Sequence, residues 1–380
     1  MKLWDRFLFT FVLLIGSYFP LIAAAEIKIL DIGLVFRSSD KFNDTIFGTL
    51  KGIETAKILF EKEHPQTIVK FHRFYHGDTL DSVVEATQRA VNANIKAVIG
   101  GGISDEALAI REVFKGKKIV FISPTSSNPS VTEGNPFIFR FCPSDKRVAL
   151  DLARLTKERL KPKRLGVVHN LSSAYASYLV TEFLSDLKTN EIPVLETKIL
   201  GDTLNFEKLI QDFVASGVTH VFFPARPSEF LNFVHQAEGR GFFPTYIGGD
   251  GWGSNNLLSK NIIKGSPNGQ KFVGFRTTLW NDQIETEIGR RFERTFLEVN
   301  HSKPNDWSVV GFDATWTLLA AMERTQQVSD GEQIRLSLAK LRSLQLVSYK
   351  DFSFRPDRSP KGGVHLYRID RLGAHFEGTL

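Results

Sequence analysis

Short apolar segments alternate with segments of helical spacing along most of the chain. Isoleucine, leucine and valine dominate 27–36, as in a buried strand, while apolar residues in 45–63 recur every three or four positions, as on one face of a helix. Further strands are predicted over 68–75, 97–99, 119–122 and 137–141, with helices over 80–92 and 105–114. This alternation predicts an α/β fold built on a parallel sheet.

The same pattern restarts after 143–145, which predicts a second lobe of similar architecture. Its predicted strands cover 164–169, 194–199, 220–223 and 245–248, and its helices 174–187, 206–216 and 228–239. The end of the chain differs, with helices predicted over 285–299, 306–324 and 332–342, followed by short strands over 352–354 and 364–369. Strands that follow a helical block indicate that the chain returns to an earlier sheet.

Five of the predicted strands end in turns rich in glycine, serine or threonine. These turns cover 100–105, 123–129, 170–175, 224–228 and 248–253. Open parallel sheets bind ligands beyond the carboxyl ends of their strands, where bare backbone and small hydroxyls suit a polar small molecule. None of the five contains an evident nucleophile, metal-ligand cluster or phosphate-binding loop, which favours a binding protein over an enzyme.

Several residues in these turns have two interpretations. Ser104 either caps the helix that follows or contacts a ligand. Asp250, between glycines, is either a turn residue or a carboxylate that needs a cationic partner such as a ligand ammonium. Tyr175 and Trp252 either form the wall of a ligand cavity or pack in the core.

The N-terminus has the features of a secretory signal peptide over 1–25. Lys2 and Arg6 precede an apolar run, and Ala23 and Ala25 place small residues before a cleavage point at Glu26. The alternative, a membrane anchor, is less favoured because the apolar run is short and interrupted. We therefore expect a secreted protein from which the signal peptide is cleaved after Ala25.

Composition excludes other classes. The net charge of +6 is spread over 380 residues rather than gathered in a basic stripe, so no nucleic-acid partner is expected. Cys142 is the single cysteine, which precludes an intrachain disulfide and is more typical of a buried apolar position than of a nucleophile. His72 and His76 lie too far apart along a predicted strand to share a metal, so we expect no metal and no cofactor.

Several of these segments together resemble a known family, the leucine/isoleucine/valine-binding branch of the type I periplasmic solute-binding proteins, the receptors of ABC importers. The resemblance covers nearly all of the mature chain and is most specific at 98–104, at 122–129 with Thr132, at Phe139-Arg140, at 143–145, at Tyr175-Ala176 and at 217–256. It implies two doubly wound parallel-sheet lobes joined by a three-segment hinge, with crossovers near Asp145, Arg276 and Val347. The implied lobes are 26–144 plus 277–346 and 145–276 plus 347–380.

The resemblance also implies the function and the site. The protein would be a monomeric, non-enzymatic periplasmic receptor that captures an amino acid or amide-like solute by hinge closure and delivers it to a membrane ABC permease. Ser104, Thr125 and Ser127 would hold the ligand α-carboxylate and Asp250 its ammonium, with Tyr175 lining the site. Arg226 departs from the family pattern and would pair either with a second ligand carboxylate or with Glu229, while the loop over 37–42 is unusually charged. A ligand-sensing module for a membrane receptor or kinase, and a secreted enzyme, remain as alternatives.

Overall fold

The computed structural model describes residues 27–38, 43–187, 192–201, 205–258, 271–278, 280–281 and 285–380. The predicted signal peptide and residues 39–42 of the charged loop lie outside these ranges. No helix within the described ranges is both long and apolar enough to cross a bilayer.

The first lobe is built on a five-stranded sheet in which every pairing is parallel. Its order is β2-β1-β3-β4-β5, with β1 at Lys28–Val35, β2 at Thr67–Arg73, β3 at Ala97–Gly100, β4 at Val120–Ser123 and β5 at Ile138–Arg140. Three helices alternate with these strands: α1 (Asn43–Glu63), α2 (Leu80–Asn92) and α3 (Ser104–Val113). Each of these elements lies where the hydrophobic pattern predicts it, and β3 and β4 are buried throughout, as expected for strands covered on both faces.

The second lobe is built on a seven-stranded sheet of order β12-β11-β10-β9-β8-β6-β7. Its strands are β6 (Leu165–Asn170), β7 (Val194–Ile199), β8 (His220–Phe222), β9 (Thr245–Gly248), β10 (Val273–Thr278), β11 (His365–Asp370) and β12 (Gly373–Thr379). Its helices are α4 (Asp145–Leu155), α5 (Ala174–Asp186), α6 (Glu207–Ala215), α7 (Pro227–Gly239) and the short α8 (Asn255–Leu258). The predicted fold class is confirmed, with β11 and β12 added as antiparallel strands at one edge.

The remaining helices complete the first lobe. They are α9 (Glu287–Asn300), α10 (Asp306–Glu323) and α11 (Gly331–Lys340), and their buried faces share one core with β1, β3 and β4. The predicted strand at 352–354 is absent; Phe352 and Phe354 make only isolated bridges, and both rings pack in this core. The sequence pattern missed α4, α8, β10 and β12.

The lobe limits implied by the resemblance stay a prediction, and the packing favours later positions for two of the three crossovers. Arg276 lies in the second sheet within β10, and the first core resumes at Ile288. Val347 still packs in the first core, which extends to Phe354, whereas Val364 packs in the second. We therefore propose that the second crossover follows Thr278 and that the third follows Phe354.

Close contact between α1 and α10 depends on glycine. A Cβ added at Gly52 would lie 1.9 Å from the carbonyl oxygen of Ser308. Because neither backbone can yield locally, we expect Gly52→Ala to lower the free energy of unfolding by about 1–3 kcal/mol. Urea denaturation measures this. Gly239→Ala is the control, since a Cβ there meets no atom within 4 Å and alanine has the higher helix propensity; equal stability of the two variants would contradict the prediction.

A buried carboxylate in α10 makes stability depend on pH. Asp313 accepts hydrogen bonds from the backbone N–H groups of Val347 (2.8 Å) and Ser348 (2.9 Å), and burial raises its pKa to about 7. Since the folded pKa exceeds the unfolded value of about 3.9, the folded state retains a proton that the unfolded state loses. Asp313 therefore lowers the free energy of unfolding as pH rises from about 4 to about 7, with a slope of up to about 1.4 kcal/mol per pH unit.

This prediction is tested by urea denaturation across that pH range. Asp313→Asn removes the titrating group at a nearly unchanged side-chain volume. As pH rises, the free energy of unfolding of the wild type should fall relative to that of Asp313→Asn. Parallel pH profiles of the two proteins would contradict the raised pKa of Asp313.

Candidate functional site

One cavity lies between the two lobes and collects the turns at the carboxyl ends of the strands. It holds about 690 Å³ of empty space, including its opening to solvent. All six residues predicted from the sequence line it: Ser104, Thr125 and Ser127 from the first lobe, and Tyr175, Arg226 and Asp250 from the second. The structure therefore brings together five turns that are far apart in the chain.

The first-lobe wall is a pair of turns after β3 and β4. Gly101 has a φ of +71° and a Cβ there would meet Ala107 at 2.9 Å, so the tight turn before α3 requires glycine. Thr125 Oγ1 donates to the Gly101 carbonyl oxygen (3.1 Å), which ties the two turns together. The helix begins at Ser104 with Ile103 as its N-cap, so the helix-cap interpretation of Ser104 is wrong. Ser104 is instead a buried hydroxyl in the cavity wall.

A buried ion pair supports the turn before Ser104. The Glu106 carboxylate accepts from the Gly102 N–H (2.9 Å) and from Arg37 Nη2 (2.7 Å) and Nε (3.0 Å). Arg37 also donates to Asp78 (3.0 Å). The described part of the charged loop thus has a structural role, because Arg37 holds the carboxylate that fixes the Gly102 backbone. The sequence pattern did not connect these residues.

The second-lobe wall brings Asp250 and Tyr175 together. A Cβ on Gly249 would lie 2.3 Å from Tyr175 Oη, and one on Gly251 2.7 Å from the same ring, so both glycines make room for the tyrosine. Tyr175 Oη accepts from the Gly251 N–H (3.3 Å), which fixes its position beside Asp250. Trp252 is a core residue instead: it is fully buried, stacks on a phenylalanine at 3.8 Å and donates from Nε1 to the Phe223 carbonyl oxygen (2.7 Å).

The electrostatics favour a cation at Asp250. Burial raises the pKa of the Asp250 carboxyl, while the positive charge of Arg276 opposes the increase. An ammonium beside this group would favour its ionised form further. Burial raises the pKa of the Cys142 thiol well above its ordinary value, and Sγ donates to the Pro124 carbonyl oxygen (3.2 Å), which agrees with the predicted buried apolar position. Within the described residues, no group of three or more His, Cys, Asp or Glu side chains could hold a metal ion.

Arg226 lies beside a carboxylate of the opposite lobe, and its two predicted partners, a second ligand carboxylate and Glu229, stay predictions. Its Nη2 lies 3.8 Å from the Asp105 carboxylate of the opposite lobe, while Glu229 accepts from Asn170 Nδ2 (3.0 Å). Asp105 was not predicted, nor was Trp307, which reaches the cavity from α10. An acidic residue in the first turn of a helix is ordinary, so the sequence carried no signal for Asp105.

The geometry of two α/β lobes around a cavity agrees with the family comparison. A family model described as periplasmic binding protein matches residues 75–374, well over half of the chain. The chain belongs to the periplasmic binding protein family.

The predicted resemblance to leucine/isoleucine/valine-binding proteins is confirmed by curated relatives of that name. The chain is 28% identical over 282 residues to a Leu/Ile/Val-binding protein homolog of Brucella abortus, covering 73% of this chain and 72% of the relative. It is 24% identical over 188 residues to the Leu/Ile/Val-binding protein of Citrobacter freundii, covering 49% and 50%. The chain spans about half the length of several curated relatives that it matches.

The fold is shared with solved structures. The crystal structure of a leucine-binding protein, LivK, from Thermotoga maritima superposes with a TM-score of 0.82 at 20% identity, covering 92% of this chain and 98% of that one. At this identity the likeness concerns the type I periplasmic binding protein fold alone.

Proposed function

We propose that this protein is the substrate-binding component of an ABC importer and captures a small amino acid or amide-like solute between its lobes. The observation that carries the proposal is the cavity itself, which has hydroxyl-bearing turns on one wall and Asp250 with Tyr175 on the other. The names of the relatives, which are Leu/Ile/Val-binding proteins, support an amino acid as the ligand.

In this proposal each end of an amino acid zwitterion is bound by a different lobe. Ser104, Thr125 and Ser127 bind the α-carboxylate through hydroxyls and the backbone of the turn after β4. Asp250 binds the ammonium, and Tyr175 closes the site beside it. No residue of this set is a nucleophile or a general base with a partner, so the proposal includes no chemical step and no cofactor.

Because the ligand contacts are divided between the two lobes, ligand binding favours closure of the lobes. A ligand shifts a conformational equilibrium only by its differential affinity for the two states, and only the closed form offers both half-sites. The closed monomer would then be the form that a membrane permease recognises, and the family name and the predicted signal peptide support a periplasmic location.

A thermal-shift screen with the common amino acids and with short amides tests the proposed function. A solute that binds the native state raises the apparent unfolding temperature in proportion to the logarithm of its concentration over Kd. We expect at least one amino acid or amide to do so, with a stoichiometry of one by calorimetry. The proposal is wrong if no such solute shifts the transition at millimolar concentration.

A further inference from the structure

Asp105 links the two lobes directly. It lies in the first turn of α3 in the first lobe, yet its Oδ1 accepts from the Ala174 N–H at the start of α5 in the second lobe (3.0 Å). Its Oδ2 lies 3.8 Å from Arg226 Nη2, also in the second lobe. Next to this contact, Asn128 Nδ2 of the first lobe donates to the Ala174 carbonyl oxygen (2.8 Å).

The second lobe therefore presents an anion-binding position at the edge of the cavity. The N-terminus of a 13-residue helix carries a partial positive charge and N–H groups that have no acceptor within the helix, and Arg226 also belongs to this lobe. Ser173 already accepts from the Ala176 N–H (3.3 Å) as the local N-cap, so Asp105 complements that cap from across the cleft. The anion in this position is a side chain of the opposite lobe.

We propose that Asp105 is a specificity-determining and positioning residue of the ligand site. It supplies the anion that Arg226 and the α5 N-terminus bind when the lobes close, and it thereby excludes ligands with an acidic side chain. The inference rests on the proposed function, which it deepens by assigning the role of Arg226: the arginine binds the protein's own carboxylate rather than a second carboxylate of the ligand.

The exclusion follows from charge. Asp105 and Arg226 both line the cavity and both keep about a quarter or less of their side-chain surface exposed (20% and 25%). A ligand carboxylate directed at Arg226 would displace Asp105 or lie beside it, and like charges in contact discriminate strongly against the wrong ligand. A neutral side chain leaves the pair intact.

The positioning role follows from geometry. The Asp105–Ala174, Asp105–Arg226 and Asn128–Ala174 contacts join residues of different lobes, so opening the cleft breaks all three. Contacts made only in the closed form stabilise it relative to the open form. Part of the stability of the closed form would therefore come from Asp105 and not from the ligand.

Glutamine and glutamate are the probes that test the exclusion, because they have nearly the same shape and differ in charge. Calorimetry at constant salt gives the affinities of both, and of leucine, for the wild type, for Asp105→Asn and for the surface control Asp81→Asn. We expect Asp105→Asn to shift the ratio of glutamate to glutamine affinity by about tenfold or more in favour of glutamate. We expect Asp105→Asn also to weaken leucine binding by about 3- to 10-fold, because the closed form loses the carboxylate that Arg226 and the α5 N-terminus bind.

Arg226→Met is the second variant and covers the case in which Asp105→Asn does not fold. It should weaken leucine binding like Asp105→Asn, but it should not admit glutamate, since the cation is gone. A circular-dichroism melt establishes folding, and small-angle scattering measures whether either variant is more open than the wild type at saturating leucine.

The outcomes separate the two proposals. If none of the probes or other amino acids binds the wild type, the proposed function fails and this inference fails with it. If amino acids bind but Asp105→Asn leaves both the glutamate-to-glutamine ratio and the leucine affinity at wild-type values, only the role of Asp105 is overturned. A glutamate gain in Arg226→Met equal to that in Asp105→Asn would also overturn it.

Discussion

Replacement of Asp250 with alanine is expected to weaken binding of an amino-acid ligand by about 2–5 kcal/mol, or roughly 30- to 5,000-fold in Kd. The carboxylate lies in the second-lobe wall of the cavity beside Tyr175, in a setting where burial raises its pKa. An ammonium bound there loses its counter-charge in the variant and is left desolvated without a partner. Isothermal titration calorimetry with the tightest ligand from the screen measures the loss.

The matched control for Asp250→Ala is Asp212→Ala. Asp212 is exposed on α6, pairs with Lys208 within the same helix and does not line the cavity. Both variants remove one negative charge from the second lobe, so a difference between them reports the position of the charge. Equal affinity of Asp250→Ala and Asp212→Ala would contradict the ammonium assignment.

The raised pKa of Asp250 also gives this prediction a pH dependence. Only the ionised carboxylate pairs with an ammonium, so affinity is complete above the pKa of Asp250 and is lost as pH falls through it. Because burial raises that pKa and Arg276 only partly opposes the increase, the loss begins at a higher pH than for an ordinary aspartate. Asp250→Ala should show no such decline over the same range.

The position of the site was predictable from the sequence because it depends on local patterns. A buried strand followed by small residues and a helix places its turn at one edge of a parallel sheet, and Ser104, Thr125, Tyr175, Arg226 and Asp250 all follow this rule. The ligand roles of these residues came from the resemblance and remain predictions.

The residues that the sequence did not indicate depend on contacts between distant segments. Trp307 reaches the cavity only because α10 packs closely on α1 through Gly52 and Gly311. Asp105 follows Ser104 in sequence, but its partners Ala174 and Arg226 belong to the other lobe. No local pattern encodes such a pairing.

The missed strands have a related cause. β10 contains Gly274 and Arg276, and a charged residue in a central strand argues against a strand unless a partner is known. The partner of Arg276 is Asp306, which lies about thirty residues later in the sequence and belongs to the first lobe. β12 has few apolar residues because it is an edge strand with both faces partly exposed.

The pair of Arg276 and Asp306 leads to the largest expected effect on stability. Arg276 Nη1 lies 3.2 Å from Asp306 Oδ2 and donates to Asn255 Oδ1 at 2.9 Å, and the arginine is almost fully buried. Asp306 accepts in addition from Thr278 Oγ1 at 3.1 Å. We expect Arg276→Met to lower the free energy of unfolding by about 3–5 kcal/mol, because it leaves the Asp306 carboxylate buried without its counter-charge.

Urea denaturation tests this against Arg368→Met, a substitution on the adjacent strand β11. Arg368 keeps 38% of its side-chain surface exposed, and pairs made by exposed arginines contribute about 0–1 kcal/mol, so its loss should cost little. Arg276 belongs to the second sheet and Asp306 to a helix of the first lobe, so the pair also joins the two lobes. The positive charge of Arg276 also opposes the rise in the pKa of Asp250, so Arg276→Met should raise that pKa and shift the decline of ligand affinity to higher pH. If Arg276→Met were as stable as Arg368→Met, the Arg276–Asp306 pair would not stabilise the fold as expected. An unchanged pH profile of binding would contradict the effect of Arg276 on the pKa of Asp250.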